Sequence, residues 1–289
     1  MNSGMNELIV NQPLFSILIA NYNNGRFLME AIESVKIQSF SNWEIILVDD
    51  ASTDDSSSLY EQLELDERIH VYYNGENRGC GYTKRRCVEM ASGQICGFLD
   101  PDDVLLPDAL LSHVATHLEM PGISCVFSRY YRCDENLNVV KESRKLIIPL
   151  DKTYFTNKDY SVEAFSSFKK VCYNQTKGID SDIKAAVDQD LFFKLEEVAP
   201  IYILDRITYK YRIHSRSVSN KPTNEDVYWN LIVRHRTCLR RGLDPSDYPV
   251  QDFIRFTKNV FNEGADRTRL SLSYRIGHFF MKPFSFFKK

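Results

Sequence analysis

Within the first 130 residues, five short apolar runs alternate with stretches of helical length. The runs are FSILIA at 15–20, EIILVDD at 44–50, RIHVYY at 68–73, ICGFLD at 95–100 and ISCVFS at 123–128. They predict strands, and their nearly continuous apolar character suits a sheet covered on both faces. The intervening segments, 26–38, 54–65, 80–92 and 107–120, are long enough for crossover helices. This is a βαβ pattern, and it predicts an α/β, Rossmann-like fold with a mostly parallel sheet and flanking helices. Ser52, Thr53 and Asp54 are candidates to cap the second helix, and Pro107 suits the first turn of the helix that begins near it.

The chain has 289 residues, of which 43% are hydrophobic, enough for one large domain with an appendage. The expected division is a nucleotide-binding and catalytic domain over 1–220 and a C-terminal helical extension over 221–289. Seven cysteines without a CxxC pair read as reduced thiols of a cytosolic protein, not as a disulfide framework or zinc site. The opening MNSGMNELIVNQPLF lacks the basic start and long apolar centre of a secretory signal. No window offers the roughly 18 uncharged apolar residues of a membrane span. A formal net charge of −3 disfavours a general nucleic-acid binder.

Ligands of parallel sheets bind beyond the carboxyl ends of the strands, so polar residues there are informative. The first run ends in Asn21-Tyr22-Asn23-Asn24, the second in Asp49-Asp50 and the fourth in Asp100-Pro101-Asp102-Asp103. One Asp pair after a strand is ordinarily a cap or a turn. Three polar strand ends at one edge point to a site. Closely spaced carboxylates repel one another unless a cation or donor compensates them. A hard divalent ion, Mg²⁺ or Mn²⁺, would do so with substrate phosphates and water completing its shell. The GxGxxG turn of dinucleotide-binding enzymes is missing after the first run, where the chain reads NYNNGRF.

The stretches SILIANYNNGRFLMEAIESVKIQSFSNWEIILVDDASTD and NRGCGYTKRRCVEMASGQICGFLDPDD resemble, in order and spacing, the family 2 glycosyltransferases. These are inverting enzymes of the GT-A fold with nucleotide-sugar donors. The resemblance implies that Tyr22 and Asp50 hold the base and ribose, and that Asp100 meets the ribose or the metal. It implies too that Asp102 binds the metal bridging the diphosphate, with Asp103 its neighbour, and that Arg78 in Asn77-Arg78-Gly79 approaches the phosphate or base. AAVDQDLFFKLEEVAP at 185–200 matches the segment that carries the family's catalytic base. Asp188 takes that position and Asp190 is the alternative, with Val187 where the family often has another acid. YKYRIHSRSVS at 209–219 resembles a late motif in which His214 is a metal ligand or phosphate donor, and Arg212 and Arg216 are candidates to neutralise phosphate. Between 129 and 180, Tyr154, Phe155, Tyr160, Phe165, Phe168 and Tyr173 read as core in preference to a sugar-stacking wall. The QxxRW motif of processive synthases is absent.

The expected activity is therefore metal-dependent, inverting transfer of one sugar from a UDP-sugar to a hydroxyl of a glycan or lipid-linked acceptor in surface polysaccharide synthesis. A sugar nucleotidyltransferase and a noncatalytic sugar-nucleotide binder are the alternatives. The first would need a Gly-rich basic loop near the first strand, in which NYNNGRF is poor.

Charge is unevenly spread. The final 23 residues, RTRLSLSYRIGHFFMKPFSFFKK, hold six Lys or Arg and no acid, leaving 30 basic and 39 acidic residues in the body. On a helix, Leu272, Ile276, Phe279 and Phe280 share one side, and Arg275, His278 and Lys282 another, until Pro283. Such a segment either packs on the acidic body or anchors the protein at an anionic membrane surface, the reading preferred here. The expected location is cytoplasmic, at the inner face of the cytoplasmic membrane. The full chain is then expected to sediment with anionic liposomes at low salt, and a chain ending at Asp266 to stay in solution; equal sedimentation of the two removes the anchor.

Overall fold

The strands β1 (Phe15–Asn21) and β2 (Trp43–Asp49) form the centre of the molecule because almost none of their surface meets water. Phe15, Ile17, Leu18 and Ile19 of β1 are fully buried, as are Ile45, Ile46, Leu47 and Val48 of β2. Each such side chain contributes roughly 1.5–3 kcal/mol by leaving water. The structure, a computed structural model, describes residues 14–149, 151–157, 165–215 and 224–247.

Helix α1 (Gly25–Lys36) joins β1 to β2, and α2 (Ser57–Leu63) leads to β3 (Ile69–Tyr73). Helix α3 (Cys80–Met90) then leads to β4 (Ile95–Phe98). These four strands lie parallel in the order β3-β2-β1-β4. The short β5 (Val104–Leu105) and helix α4 (Ala109–Glu119) follow, then β6 (Cys125–Cys133), β7 (Val139–Glu142) and β8 (Phe165–Lys169). The one-turn α5 (Lys170–Tyr173) and α6 (Val187–Val198) precede the long β9 (Ile201–Arg212).

Beyond β4 the sheet becomes mixed. Strand β8 runs antiparallel to both β4 and β6, β9 runs parallel to β6, and β5 and β7 pair antiparallel with β9 and β6. All nine strands belong to one sheet, ordered β3-β2-β1-β4-β8-β6-β9-β5 with β7 on β6. The parallel arrangement expected from the sequence thus describes the first half. Because β2 and β4 flank β1, their carboxyl ends open onto a common crevice.

Ser52, Thr53 and Asp54 do not cap α2, contrary to the sequence reading. The cap position is Ser56, and the Asp54 carboxylate is shared: one oxygen accepts the backbone N–H of Gly25 at 3.0 Å, satisfying the first residue of α1 from across the turn, and the other accepts the N–H of Ser56 at 3.0 Å. Asn23 returns the tie, its side-chain oxygen accepting the backbone N–H groups of Thr53 and Asp54 at 2.7 and 3.2 Å. Pro107 lies two residues ahead of α4. Tyr154, Phe155, Phe165, Phe168 and Tyr173 are buried core residues, as expected; Tyr160 lies outside the described residues.

Strand β8 carries Ser166 and Ser167 into the interior, where helix α4 supplies their neighbours' partners. His113 sits between Ser167 Oγ (2.7 Å) and Ser128 Oγ (3.0 Å), and His117 Nε2 also meets Ser167 Oγ (2.9 Å). Ser128 continues the chain to Thr208 of β9 at 2.5 Å. One polar thread therefore stitches α4, β8, β6 and β9.

Residues 1–221 and 222–289 form two compact units. In the second, α7 (Asn224–Arg241) has Glu225 and Asp226 in its first turn and Arg240 and Arg241 in its last, the arrangement that a helix dipole favours. The basic, Phe-rich tail and Arg216 lie outside the described residues. Among the described residues no helix is long and apolar enough to cross a membrane, and all seven cysteines are free thiols.

The buried histidines make stability depend on pH. Burial pushes His113 down to about 3, with His117 adding to it, and burial and the Lys169 charge push His117 down to about 4. The unfolded chain takes up these two protons below roughly pH 6.5 and the native state does not. Stability is therefore fully present above that pH and falls as pH drops toward 4, by about 1.4 kcal/mol per pH unit for each histidine. Thermal melting between pH 7 and 4.5 is expected to show this decline, and His113→Asn to flatten it; an unaltered slope in the variant would assign the acid lability elsewhere.

Candidate active site

The three polar strand ends do different work. After β1, the Asn21 side chain is buried and donates to Ser56 Oγ at 3.1 Å and Tyr60 OH at 2.9 Å. Tyr60 in turn donates to Asp49 at 2.5 Å, and Asp49 accepts the Ser52 N–H at 3.0 Å. Burial and the Asp49 carboxylate drive the Tyr60 phenol well up. Asn21 and Asp49 thus brace the turns. Tyr22, between braced neighbours, is 47% exposed at the mouth of the crevice.

Asp50 is buried and uses both oxygens on the segment after β3. Oδ1 accepts from Asn74 Nδ2 at 2.7 Å and the Arg78 N–H at 2.8 Å, and Oδ2 accepts the Gly79 N–H at 2.8 Å. Gly79 has φ +84°, a left-handed backbone that favours glycine. The Arg78 guanidinium lies 4.6 Å from the Tyr82 ring centre. An open pocket of about 290 Å³ is lined here by Asn74, Gly75, Glu76, Arg78, Tyr82 and Arg86. Asp50 therefore sets the shape of the loop that carries Arg78.

The acidic turn after β4 divides sharply. Asp103 is buried, accepting the Arg212 N–H at 2.6 Å and the Tyr209 hydroxyl at 2.8 Å. Burial, with Asp102 and Asp100 adding, pushes its carboxyl well above the usual range. Asp102 meets His214, with Oδ2 and Nε2 2.9 Å apart. The His214 ring is buried against Phe27, 4.8 Å between centres. Asp100 faces Lys84 at 3.7 Å and keeps 46% of its side-chain surface. Desolvation, with Asp188 and Asp102 adding and Lys84 opposing, raises Asp100 to about 6, tempered by the water that still reaches it.

The candidate base comes from far along the chain. Asp188 lies in the first turn of α6 with 39% of its side-chain surface exposed, and Lys84 of α3 donates to both its oxygens at 2.7 and 2.9 Å. Asp190, two residues on, is buried in an ion pair with Lys194 at 2.5 Å, and Lys194 also donates to the Gly178 carbonyl. Of the two aspartates left open by the sequence, the exposed one is Asp188. Val187 is buried.

Lys84 is a residue of this cluster that the sequence does not mark out, one of three adjacent basic residues in KRR at 84–86. Its side chain is 8% exposed and lies 4.9 Å from the Phe98 ring centre. Burial opposes its charge, but Asp188 and Asp100 more than offset that, and its pKa rises. Helical spacing from Gly81, Cys87 and Val88, which lie three or four residues away and are all buried, is the available signal. Gly81 explains the close approach: a Cβ there would meet the Ile183 carbonyl oxygen at 2.4 Å and that of Asp180 at 2.8 Å.

Arg212 is not available for phosphate, contrary to one sequence expectation. Its guanidinium donates to the Asp102 carbonyl at 2.6 Å, the Glu135 carbonyl at 2.6 Å and Glu30 at 2.8 Å, over the Phe27 ring. It fastens the acidic turn to β9.

No cluster of three or more His, Cys, Asp or Glu suited to a metal occurs among the described residues. Asp102 and His214 form a two-residue donor set of oxygen and nitrogen. Their 2.9 Å separation is about that of adjacent ligands held at ~2.1 Å in an octahedron, so the pair fits a cation that takes its other ligands from phosphate and water.

The comparisons with known proteins agree with this layout. The family model for glycosyl transferase family 2 matches residues 16–178. Chondroitin synthase of Escherichia coli is 27% identical over 236 residues, covering 82% of this chain and 34% of that protein. The putative teichuronic acid biosynthesis glycosyltransferase TuaG of Bacillus subtilis is 38% identical over 118 residues, 40% of this chain and 46% of that protein. The chain thus spans less than half the length of these curated relatives. Among solved structures, S. aureus TarS 1-349 in complex with UDP-GlcNAc superposes with a TM-score of 0.66 at 21% identity, over 81% of this chain and 68% of that one. That likeness is one of fold, the GT-A fold expected from the sequence. With more than half of its residues matched by the family model, the chain belongs to glycosyl transferase family 2.

Proposed function

We propose that the protein is a metal-dependent, inverting glycosyltransferase that moves one sugar from a UDP-sugar to a hydroxyl of a glycan or lipid-linked acceptor, in surface polysaccharide synthesis. The observation that carries the reading is the meeting of Asp188 with the acidic turn after β4. Residues 84, 100 and 188, remote in sequence, share one ionic cluster. Residues 1–220 form the catalytic domain in this reading, and the extension over 221–289 keeps it against an anionic membrane on the cytoplasmic side. The membrane contact rests on the charge and Phe content of the tail alone.

Donor binding falls to the strand ends. Tyr22 offers an exposed ring to the base, Asp50 holds the Arg78 loop to the base and phosphate, and Asp100 reaches the ribose. Asp102 and His214 would hold Mn²⁺ or Mg²⁺, which when bound neutralises charge on the departing diphosphate. The relatives support the sugar chemistry: they include a chondroitin synthase, and the structural neighbours include a UDP complex.

Transfer then needs one base. As the acceptor oxygen bonds to the anomeric carbon, the bond from that carbon to the diphosphate breaks and the electron pair leaves with the phosphate. The acceptor's proton passes to the Asp188 carboxylate. A single displacement inverts the anomeric centre.

A panel of nucleotide-sugars, followed by nucleotide release with and without Mn²⁺, tests the donor and metal together. Asp188→Asn is expected to bind UDP as the native protein does in calorimetry yet lose transfer by at least about 100-fold, the usual contribution of a general base. Transfer that survives this change but not Asp190→Asn would move the base by two residues.

Asp102→Ala is expected to lower turnover by orders of magnitude while the chain still melts cooperatively, because relief of charge in the crowded acidic turn opposes the loss of the Asp102–His214 contact. Full activity in that variant, or activity indifferent to chelation, would refute the metal site.

A further inference from the structure

Lys84 ties the Asp188 helix to the donor half of the sheet by an ion pair. Burying an ammonium in mid-helix is costly unless its partners repay the loss of water. Here the partners are specific. The two oxygens of Asp188 lie at 2.7 and 2.9 Å, Asp100 at 3.7 Å and the Phe98 ring at 4.9 Å. Fold stability alone does not account for the choice, since a buried pair is ordinarily replaceable by apolar residues at little cost. Asp188 itself has no packing need for a partner, being 39% exposed.

Three features make the contact directional. Lys84 is fixed by the buried face of α3, on which Gly81 lets the 180–183 backbone approach too closely for any side chain. Asp188 is fixed at the first turn of α6, which starts from Ala186 at φ +58°. The ammonium reaches Asp188 and Asp100 at once, so it spans from the candidate base to the residue assigned to the donor ribose. We propose that Lys84 is a positioning residue that orients the Asp188 carboxylate toward the acceptor hydroxyl and sets its distance from the bound donor. The proposal rests on the reading of Asp188 as the base. Lys84 neither accepts the proton nor touches the departing diphosphate; it acts through Asp188.

A double-mutant cycle under steady-state conditions tests this, using the full chain, the UDP-sugar found by the donor panel and Mn²⁺. Lys84→Met is expected to lower kcat by about 10- to 100-fold, the cost of about 1 Å misplacement of a reacting group, with the donor KM changed less than about threefold. Lys84→Arg is expected to restore a substantial part of kcat, since it keeps the charge. In the Asp188→Asn background, Lys84→Met is expected to cost nothing further, because residues acting as one unit are not additive. Should Lys84→Met fail to fold, Lys84→Gln takes its place in the same cycle. A raised donor KM with kcat intact would make Lys84 a donor contact, and an additive loss in the double variant would make it an independent one; either overturns the proposal. Transfer that persists in Asp188→Asn alone would instead overturn the assignment of the base.

Discussion

Arg212 holds the site in register. Its backbone N–H goes to Asp103, its guanidinium to the carbonyl of Asp102, to Glu135 and to Glu30, and its flat face to Phe27. Because the buried Asp103 also needs the Tyr209 hydroxyl, the turn after β4 has one satisfactory position against β9. That position brings Asp102 to His214, two residues beyond Arg212. Unpairing such buried groups costs several kcal/mol, far more than an exposed ion pair contributes. The exposed acids inherit their geometry from the buried one.

The parallel half of the fold was legible because its strands are buried on both faces and so read as continuous apolar runs. Of the antiparallel half, the sequence showed ISCVFS, the start of β6, and not its partners. FSSFK of β8 and IYILDRITYKYR of β9 lack that signature. In β8 two serines stand in the core because His113 and His117 of α4 come to meet Ser167, and pairings across 50 residues leave no trace in local pattern. Strand β9 is long and only half-buried or exposed up to Ile207, with Thr208, Tyr209 and Arg212 buried beyond it, since it serves β6 along its length and β5 near its end. The misassigned cap has a related cause: Ser56 takes the cap position of α2, and Asp54 divides its carboxylate between that residue and the start of α1.

The candidate site was legible to the extent that strand ends announce themselves. Tyr22, Asp50, Asp100 and Asp102 all lie within three residues of the end of an apolar run. What sequence could not resolve was the division of labour among adjacent acids. Asp102 and Asp103 differ by one residue, yet one is shared with His214 and the other is spent on β9. Asp188 and Asp190 differ by two, and Lys194, one turn further on, claims the second. Lys84 hid in a run of three basic residues. Arg85 points to Glu89 and Arg86 to the Tyr73 and Asn74 oxygens, while Lys84 turns inward.

The contact at Gly81 has a bearing on how such a scaffold diversifies. The segment that delivers Asp188 meets α3 through a backbone-to-backbone touch at Gly81, the Arg85 guanidinium on the Ile179 carbonyl and the Lys84 ammonium on Asp188 itself. None of these three contacts uses a side chain between Asp134 and Gly178, but Tyr154 and Phe155 of that stretch pack on Phe192 and Phe193 of the same helix. A stretch transplanted there from another member of the family keeps this docking where glycine stands at 81, cations at 84 and 85, and aromatic rings at 154 and 155. The residues between can then change as an exchangeable cassette, while the contacts that α3 makes with the Asp188 helix stay as they are.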